Sequence, residues 1–329
     1  MSWSVFGHDE VVKILKNHII QEDTRHAYLF AGIPGIGRRT LAVQFAQALN
    51  CTQPPAPGEF CGECRACRQI AAQQHPDLNI VQADAVGSIL KIDEIRELQH
   101  VLSLGPYEAK WRIALLLRFE EANQNAQNSL LKTLEEPADK VKLLLTASSE
   151  NAVLETISSR CEVIRLHPAH PENLADYLKA NYEGDPASFE KVAHLSAGRT
   201  GVAISLIQDS QKATWMVETA GDLLTLFSQN TRERFQFAAA YRDFKKRGDL
   251  REVLKIWQSL ARDMLLLSME DKYSAQTLTF LELRPETEIT AAKLTPKQVR
   301  MFACRISQAL EYLNANVSPQ LLLEGLLLN

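Results

Sequence analysis

Long apolar runs are what this sequence most clearly lacks. Although 46% of the 329 residues are hydrophobic, nowhere do about 18 apolar residues follow one another, the length a helix needs to cross a bilayer. The opening residues, MSWSVFGHDEVVK, hold no basic stretch leading into an apolar run and a small-residue cleavage site. No secretory signal is read there, and a cytoplasmic location is expected. Neither charge sign is in excess: 36 Lys+Arg against 40 Asp+Glu leave a net charge of −4. That balance excludes a global positive field drawing the chain to nucleic acid and confines any such contact to a local patch. Internal repeats and low-complexity tracts are also absent.

Against that background, five short apolar runs read as buried strands: Ala27–Ala31, Leu78–Gln82, Arg112–Leu117, Lys142–Thr146 and Glu162–Leu166. Helical spacing separates them at Thr40–Leu49, Ile92–Leu102 and Ala122–Leu134, the last stopped by Pro137. Alternating strand and helix predict an α/β domain with a parallel sheet. Two prolines in the segment His167–Glu172 mark its end. Beyond it strand signals largely disappear. Pro171–Asn181 and Pro186–Ser196 read as short helices closed by Ala197-Gly198, and from about Ser210 the pattern is helical, with breaks near Asn230, Gly248, Pro285 and Pro319. The expected organisation is an α/β domain over 1–166, a small helical domain over 167–209 and a helical domain over 210–329.

Gly32-Ile33-Pro34-Gly35-Ile36-Gly37-Arg38-Arg39-Thr40, between a strand and a helix, has the frame of a phosphate-binding loop, G-x-x-x-x-G-K-[ST]. Glycines let backbone approach phosphate, and helix N–H groups supply a positive field. The two side chains that carry the chemistry are missing. Arg38 holds the lysine position, and Arg39, which cannot ligate a cation, holds the magnesium hydroxyl position. Thr40 comes one residue late. A nucleotide-hydrolysing chain also needs acidic residues at the end of a neighbouring strand. Counted back from Leu130-Leu131-Lys132, those positions fall on Leu117 and Arg118, with Glu120 and Glu121 offset onto the next turn. The reading is a relic nucleotide site without ATPase activity of its own.

Cys51, Cys61, Cys64 and Cys67 form C-x9-C-x2-C-x2-C. In a reducing compartment such spacing points to a closed structural zinc site, with no position left open for catalysis. Arg65 and Arg68 beside it could touch phosphate or form a solvated basic face. Cys161 and Cys304 stand alone and read as small packing residues.

These elements together resemble the clamp-loader branch of the AAA+ family. The resemblance is carried by His26-Ala27-Tyr28-Leu29-Phe30, Ala48-Leu49-Asn50-Cys51, the cysteine set, His75-Pro76-Asp77, Ile92–Leu98, Asn128–Pro137 (NSLLKTLEEP) and Ser159-Arg160-Cys161. Weaker likeness continues through Leu195–Gly198, Trp257 with Leu260–Leu265, and Asn316–Glu324. It implies a AAA+ α/β domain with a zinc module at about 51–67, a helical lid and a helical collar that holds a hetero-pentamer together. The implied partners are tau/gamma and delta subunits and, through the assembled ring, a sliding clamp and primer-template DNA. The departures at Arg38, Arg39, Leu117, Arg118 and Gly201, where a second-sensor arginine would fall, imply a ring member that binds no ATP itself. Read alone, Arg160 is a surface arginine capping a helix or pairing with an acid. Within its Ser159-Arg160-Cys161 motif the resemblance implies a finger acting in trans on a neighbour's ATP. Lys132, Glu135 and Glu136 suit either a solvated helix face, with a Lys132–Glu136 i,i+4 pair, or a contact between subunits. The competing readings are an ATP-hydrolysing tau/gamma-like subunit and a zinc-dependent DNA-binding protein outside replication.

Overall fold

The computed structural model describes residues 3–243, 246–268, 277–314 and 317–328. The chain divides into two compact units, one comprising Met1–Ala169 with Arg199–Gly201, the other His170–Gly198 with Val202–Asn329.

In the first unit, β1 (Ala27–Ala31), β2 (Leu78–Val81), β3 (Arg112–Leu116), β4 (Val141–Ala147) and β5 (Glu162–Arg165) form one sheet in the order β2-β3-β4-β1-β5, every pairing parallel. The three central strands are buried along their whole length, whereas β2 and β5, at the edges, are partly open. That is why the central strands read as unbroken apolar runs rather than alternating ones. Successive side chains still point to opposite faces. Leu29, Leu116, Leu143 and Leu145 join one core with Leu98 and Leu130. Tyr28, Phe30, Leu115 and Leu144 join the other with Leu15, Leu41 and Phe45. The first core is thus covered by α4 (Ile92–Leu102) and α5 (Gln124–Glu135), the second by α1 (Asp9–Ile20) and α2 (Arg38–Asn50). The short helices α3 (Arg65–Ala71) and α6 (Glu155–Ser158) complete the unit. α5 starts where Asn123 accepts the N–H of Ala126 at 2.8 Å, an N-cap worth about 1 kcal/mol.

The second unit is helical among the described residues: α7 (Pro171–Asn181), α8 (Pro186–Leu195), α9 (Thr200–Gln208), α10 (Ser210–Ser228), α11 (Thr231–Ala239), α12 (Arg247–Ser268), α13 (Arg284–Ala291), α14 (Pro296–Asn314) and α15 (Pro319–Leu327). The first two residues of α9, Thr200 and Gly201, cluster with the first unit. The expected breaks are helix starts: Asn230 caps α11, Pro285 and Pro319 occupy first turns, where a missing N–H costs nothing, and Gly248 follows the first residue of α12. Trp257 is fully buried and donates to Thr219 O at 2.9 Å. Asp263 accepts the N–H groups of Thr279 and Phe280, and its burial raises its pKa to about 6. Trp257 and Asp263, both from one helical resemblance motif, therefore tie this unit together. Asn316, from the last such motif, lies outside the described residues. No helix among those described is long and apolar enough to cross a membrane.

Candidate functional site

The glycine loop has the expected strand–loop–helix setting. Gly35 and Gly37 have φ of 83° and 106°, left-handed conformations that other residues adopt at a cost. A Cβ on Gly32 would lie 3.0 Å from the carbonyl oxygen of Leu166. His8 donates from Nε2 to Ile36 O at 2.9 Å and so pins the loop from α1's N-terminal side.

Inside this frame opposite charges face one another, although Arg38 Nη1 and Glu120 Oε2 are buried without a hydrogen-bond partner. Arg38 is 8% exposed, with Nη1 3.6 Å from Glu120 Oε1. Burial lowers the arginine's pKa while Glu120 opposes that shift. Glu120 is held in turn by the backbone N–H of Ser148, at 3.1 Å. A carboxylate therefore does stand beside the loop, although it comes from the turn after the strand. The reason is local: Arg118 takes φ 50° and starts the 3-10 turn Phe119–Glu121. Arg118 itself donates to Glu121 Oε2 at 2.8 Å and Ala83 O at 2.9 Å, and its N–H donates to Thr146 Oγ1 at 2.9 Å. Arg39 turns to Gln73, at 2.6 Å. The N–H of Gly201 donates to Gly35 O at 2.8 Å, and a Cβ there would lie 2.8 Å from that same oxygen. Glycine at this position is thus a packing requirement that excludes an arginine. What remains is a cavity of about 260 Å³ lined by Gly35, Gly37, Arg38, Leu117, Arg118 and Thr146 among others. It is smaller than the roughly 300–1,000 Å³ of most ligand pockets.

The four cysteines do converge: their Sγ atoms all lie within 4.8 Å of one another. Cys51 ends α2, Cys64 caps α3 and Cys67 lies in α3's first turn, so two helices fix three of the four. Sγ–Sγ separations of 3.6 Å (Cys51–Cys61) and 3.9 Å (Cys61–Cys67) match the edge of about 3.8 Å in a tetrahedron with metal–sulfur bonds of about 2.3 Å. Backbone N–H groups of Cys61, Cys64 and Cys67 point at the sulfurs of Cys51, Cys61 and Cys64. Burial opposes ionisation of Cys64, but the N–H of Cys67 and contacts from Thr52 outweigh it and bring the thiol down to about 6. Burial pushes the Cys67 thiol up. Phe60, Ala48 and Trp3 pack around the cluster.

His75-Pro76-Asp77 has a structural task. Asp77 accepts the N–H groups of Tyr107, Glu108 and Ala109 at 2.6–2.8 Å and pairs with Arg112 at 3.1 Å. Cys161 is half-buried against the core of α4 and α5. Arg160, by contrast, is exposed at the end of α6. Its Nη1 donates to Thr156 O at 2.9 Å, and its Nη2 lies 2.8 Å from Glu135 Oε1, so it both caps its helix and pairs with an acid. The Lys132–Glu136 pair expected from spacing is not among the ion pairs of the described residues; Glu135 is the acid that is engaged.

A family profile described as "DNA polymerase III, delta subunit" matches residues 7–170. The chain is 28% identical over 323 residues to DNA polymerase III subunit delta' of Bacillus subtilis, covering 97% of this chain and 94% of that one. It is 40% identical over 136 residues to the delta' subunit of Pseudomonas aeruginosa, 41% of each chain. Over nearly its whole length the chain is thus similar to a DNA polymerase III delta' subunit. It is also 29% identical over 218 residues to DNA polymerase III subunit tau/gamma of Haemophilus influenzae, 66% of this chain and 31% of that one.

In the sequence the loop, the cysteines and Arg160 stood out by spacing, and Glu120 and Glu135 were named without their partners. His8, Glu120, Thr146 and Glu135 reach the site only through folding. Gly201 was marked in the sequence only as the place where the resemblance would put a second-sensor arginine, and its partner Gly35 is distant in sequence.

Proposed function

We propose that this chain is a non-hydrolysing AAA+ subunit of the DNA polymerase III clamp loader, which lends Arg160 in trans to ATP bound by an adjacent tau/gamma-type subunit. The observation that carries this reading is the altered set of side chains around the loop. Arg38 faces Glu120, Leu117 and Arg118 stand where magnesium ligands belong, and Gly201 closes on Gly35, while Arg160 stays exposed. A guanidinium delivered to a neighbour's γ-phosphate stabilises transition-state charge and is worth about 10³–10⁵ in rate where it has been measured. In this reading residues 1–166 are the AAA+ domain, 167–209 its lid and 210–329 a collar joining a hetero-pentamer with tau/gamma and delta subunits. The assembled ring acts on the sliding clamp and primer-template DNA. Cys51, Cys61, Cys64 and Cys67 hold a structural zinc that fixes the module between α2 and α3, with a role in folding.

The test is reconstitution with tau/gamma and delta subunits. Arg160→Ala should lower ATP hydrolysis and clamp loading by at least tenfold while the complex still assembles; an unchanged rate ends the finger reading. The rival, an ATP-hydrolysing subunit, draws support from the Glu120 carboxylate beside the loop. Titration of the isolated chain with Mg·ATP separates the two, since magnesium-dependent binding at micromolar concentration belongs only to the rival.

A further inference from the structure

Glu135 is the last residue of α5 and Glu136 follows it as the C-cap. Carboxylates are disfavoured at this end of a helix, where the macrodipole leaves partial negative charge and cations belong. One of the two is compensated, because Arg160 comes from α6 to within 2.8 Å of Glu135. The second anchor on the guanidinium is Thr156 O, from Arg160's own helix, at 2.9 Å. The two contacts use different terminal nitrogens, so together they set the plane of the fork as well as its position. A guanidinium has five N–H donors, and these anchors leave donors for another acceptor. The side chain keeps 37% of its surface exposed.

We infer that Glu135 is a positioning residue for Arg160: it holds the guanidinium extended and oriented before a neighbour's phosphate arrives. This rests on the trans-finger reading above. A free arginine side chain carries rotamer entropy that must be lost when it docks on phosphate. The Glu135–Arg160 pair removes part of that entropy in advance. The same carboxylate offsets some of the guanidinium's charge, so the alternative is a restraint that competes with phosphate, and the two have opposite signs in kinetics.

The test uses the reconstituted loader with clamp and primed DNA, reading steady-state ATP hydrolysis with kcat and KM separated. Exposed ion pairs are worth little, so Glu135→Ala should lower kcat by about two- to fivefold. KM for ATP should not change, because the nucleotide is bound by the other subunit. Glu135→Gln keeps an acceptor oxygen and should recover part of the loss. In an Arg160→Ala background, Glu135→Ala should change nothing further. A rate at or above wild type for Glu135→Ala overturns the positioning role, as does an equal loss in both backgrounds or a failure to assemble. If Arg160→Ala is silent, the finger reading falls and the positioning role with it. If Arg160→Ala is damaging and Glu135→Ala silent, only the positioning role falls.

Discussion

The loop pocket and the cysteine cluster lie at opposite ends of α2, and they have fared differently. At the helix N-terminus the backbone geometry of a phosphate site survives, with left-handed glycines and a strand behind it, but its side chains have turned to one another. At the C-terminus all four thiols converge, and two of their separations match a tetrahedral edge. A glycine turn between a buried strand and a helix is needed by the fold whether or not phosphate binds, so in the proposed reading it persists without the chemistry. Four thiols gathered in a short loop have no comparable packing role without an ion. Their completeness is therefore the stronger sign of present use.

The contrast can be broken most easily at the cysteines. Structural zinc contributes about 10–16 kcal/mol of apparent binding free energy in small thiolate sites. Cys67→Ala, or prolonged chelation, should therefore abolish one equivalent of bound zinc and lower the urea midpoint further than any pocket substitution. Unchanged metal content and midpoint would remove the distinction altogether. Next in size is Arg38→Met, which leaves Glu120 without its cation. A broken buried pair costs about 3–5 kcal/mol. The exposure of Glu120 (21% of its side chain) places this case at or below the lower end, and the midpoint should be largely restored by adding Glu120→Leu. Gly201→Ala comes third, because its Cβ meets Gly35 O at 2.8 Å. Overpacking of this kind costs about 1–3 kcal/mol, read as a lower thermal midpoint. The smallest expected effect is the most informative about the pocket. Arg38→Lys with Arg39→Thr restores the loop's missing side chains, yet Mg·ATP titration should still give no saturable binding, since Leu117, Arg118 and Gly201 remain. Micromolar binding by that variant would mean that the loss lies in two side chains alone.

Much of this site could be read along the chain. Strand ends came within a residue of their observed places, because fully buried parallel strands are written as short apolar runs bounded by polar residues. The loop and the cysteines announced themselves by spacing. α1 and α3 did not stand out. α3 has only seven residues, and its cysteines read first as ligands rather than as a helical face. Glu120 was placed a turn away from the site, since nothing in the sequence shows that Arg118 adopts φ 50° and swings the following turn towards Arg38.

The sequence by itself determined the α/β order, the frame of the loop, the four candidate ligands and the absence of a lysine and of magnesium ligands at their expected positions. These are properties of local spacing, and short-range sterics and periodicity enforce them. Only the tertiary structure decided which charges meet: Arg38 with Glu120, Asp77 with Arg112, Arg160 with Glu135. Such pairs join residues from elements separated by whole strands and helices. Their partners are chosen by sheet order and helix packing, and that information belongs to no single stretch of the chain.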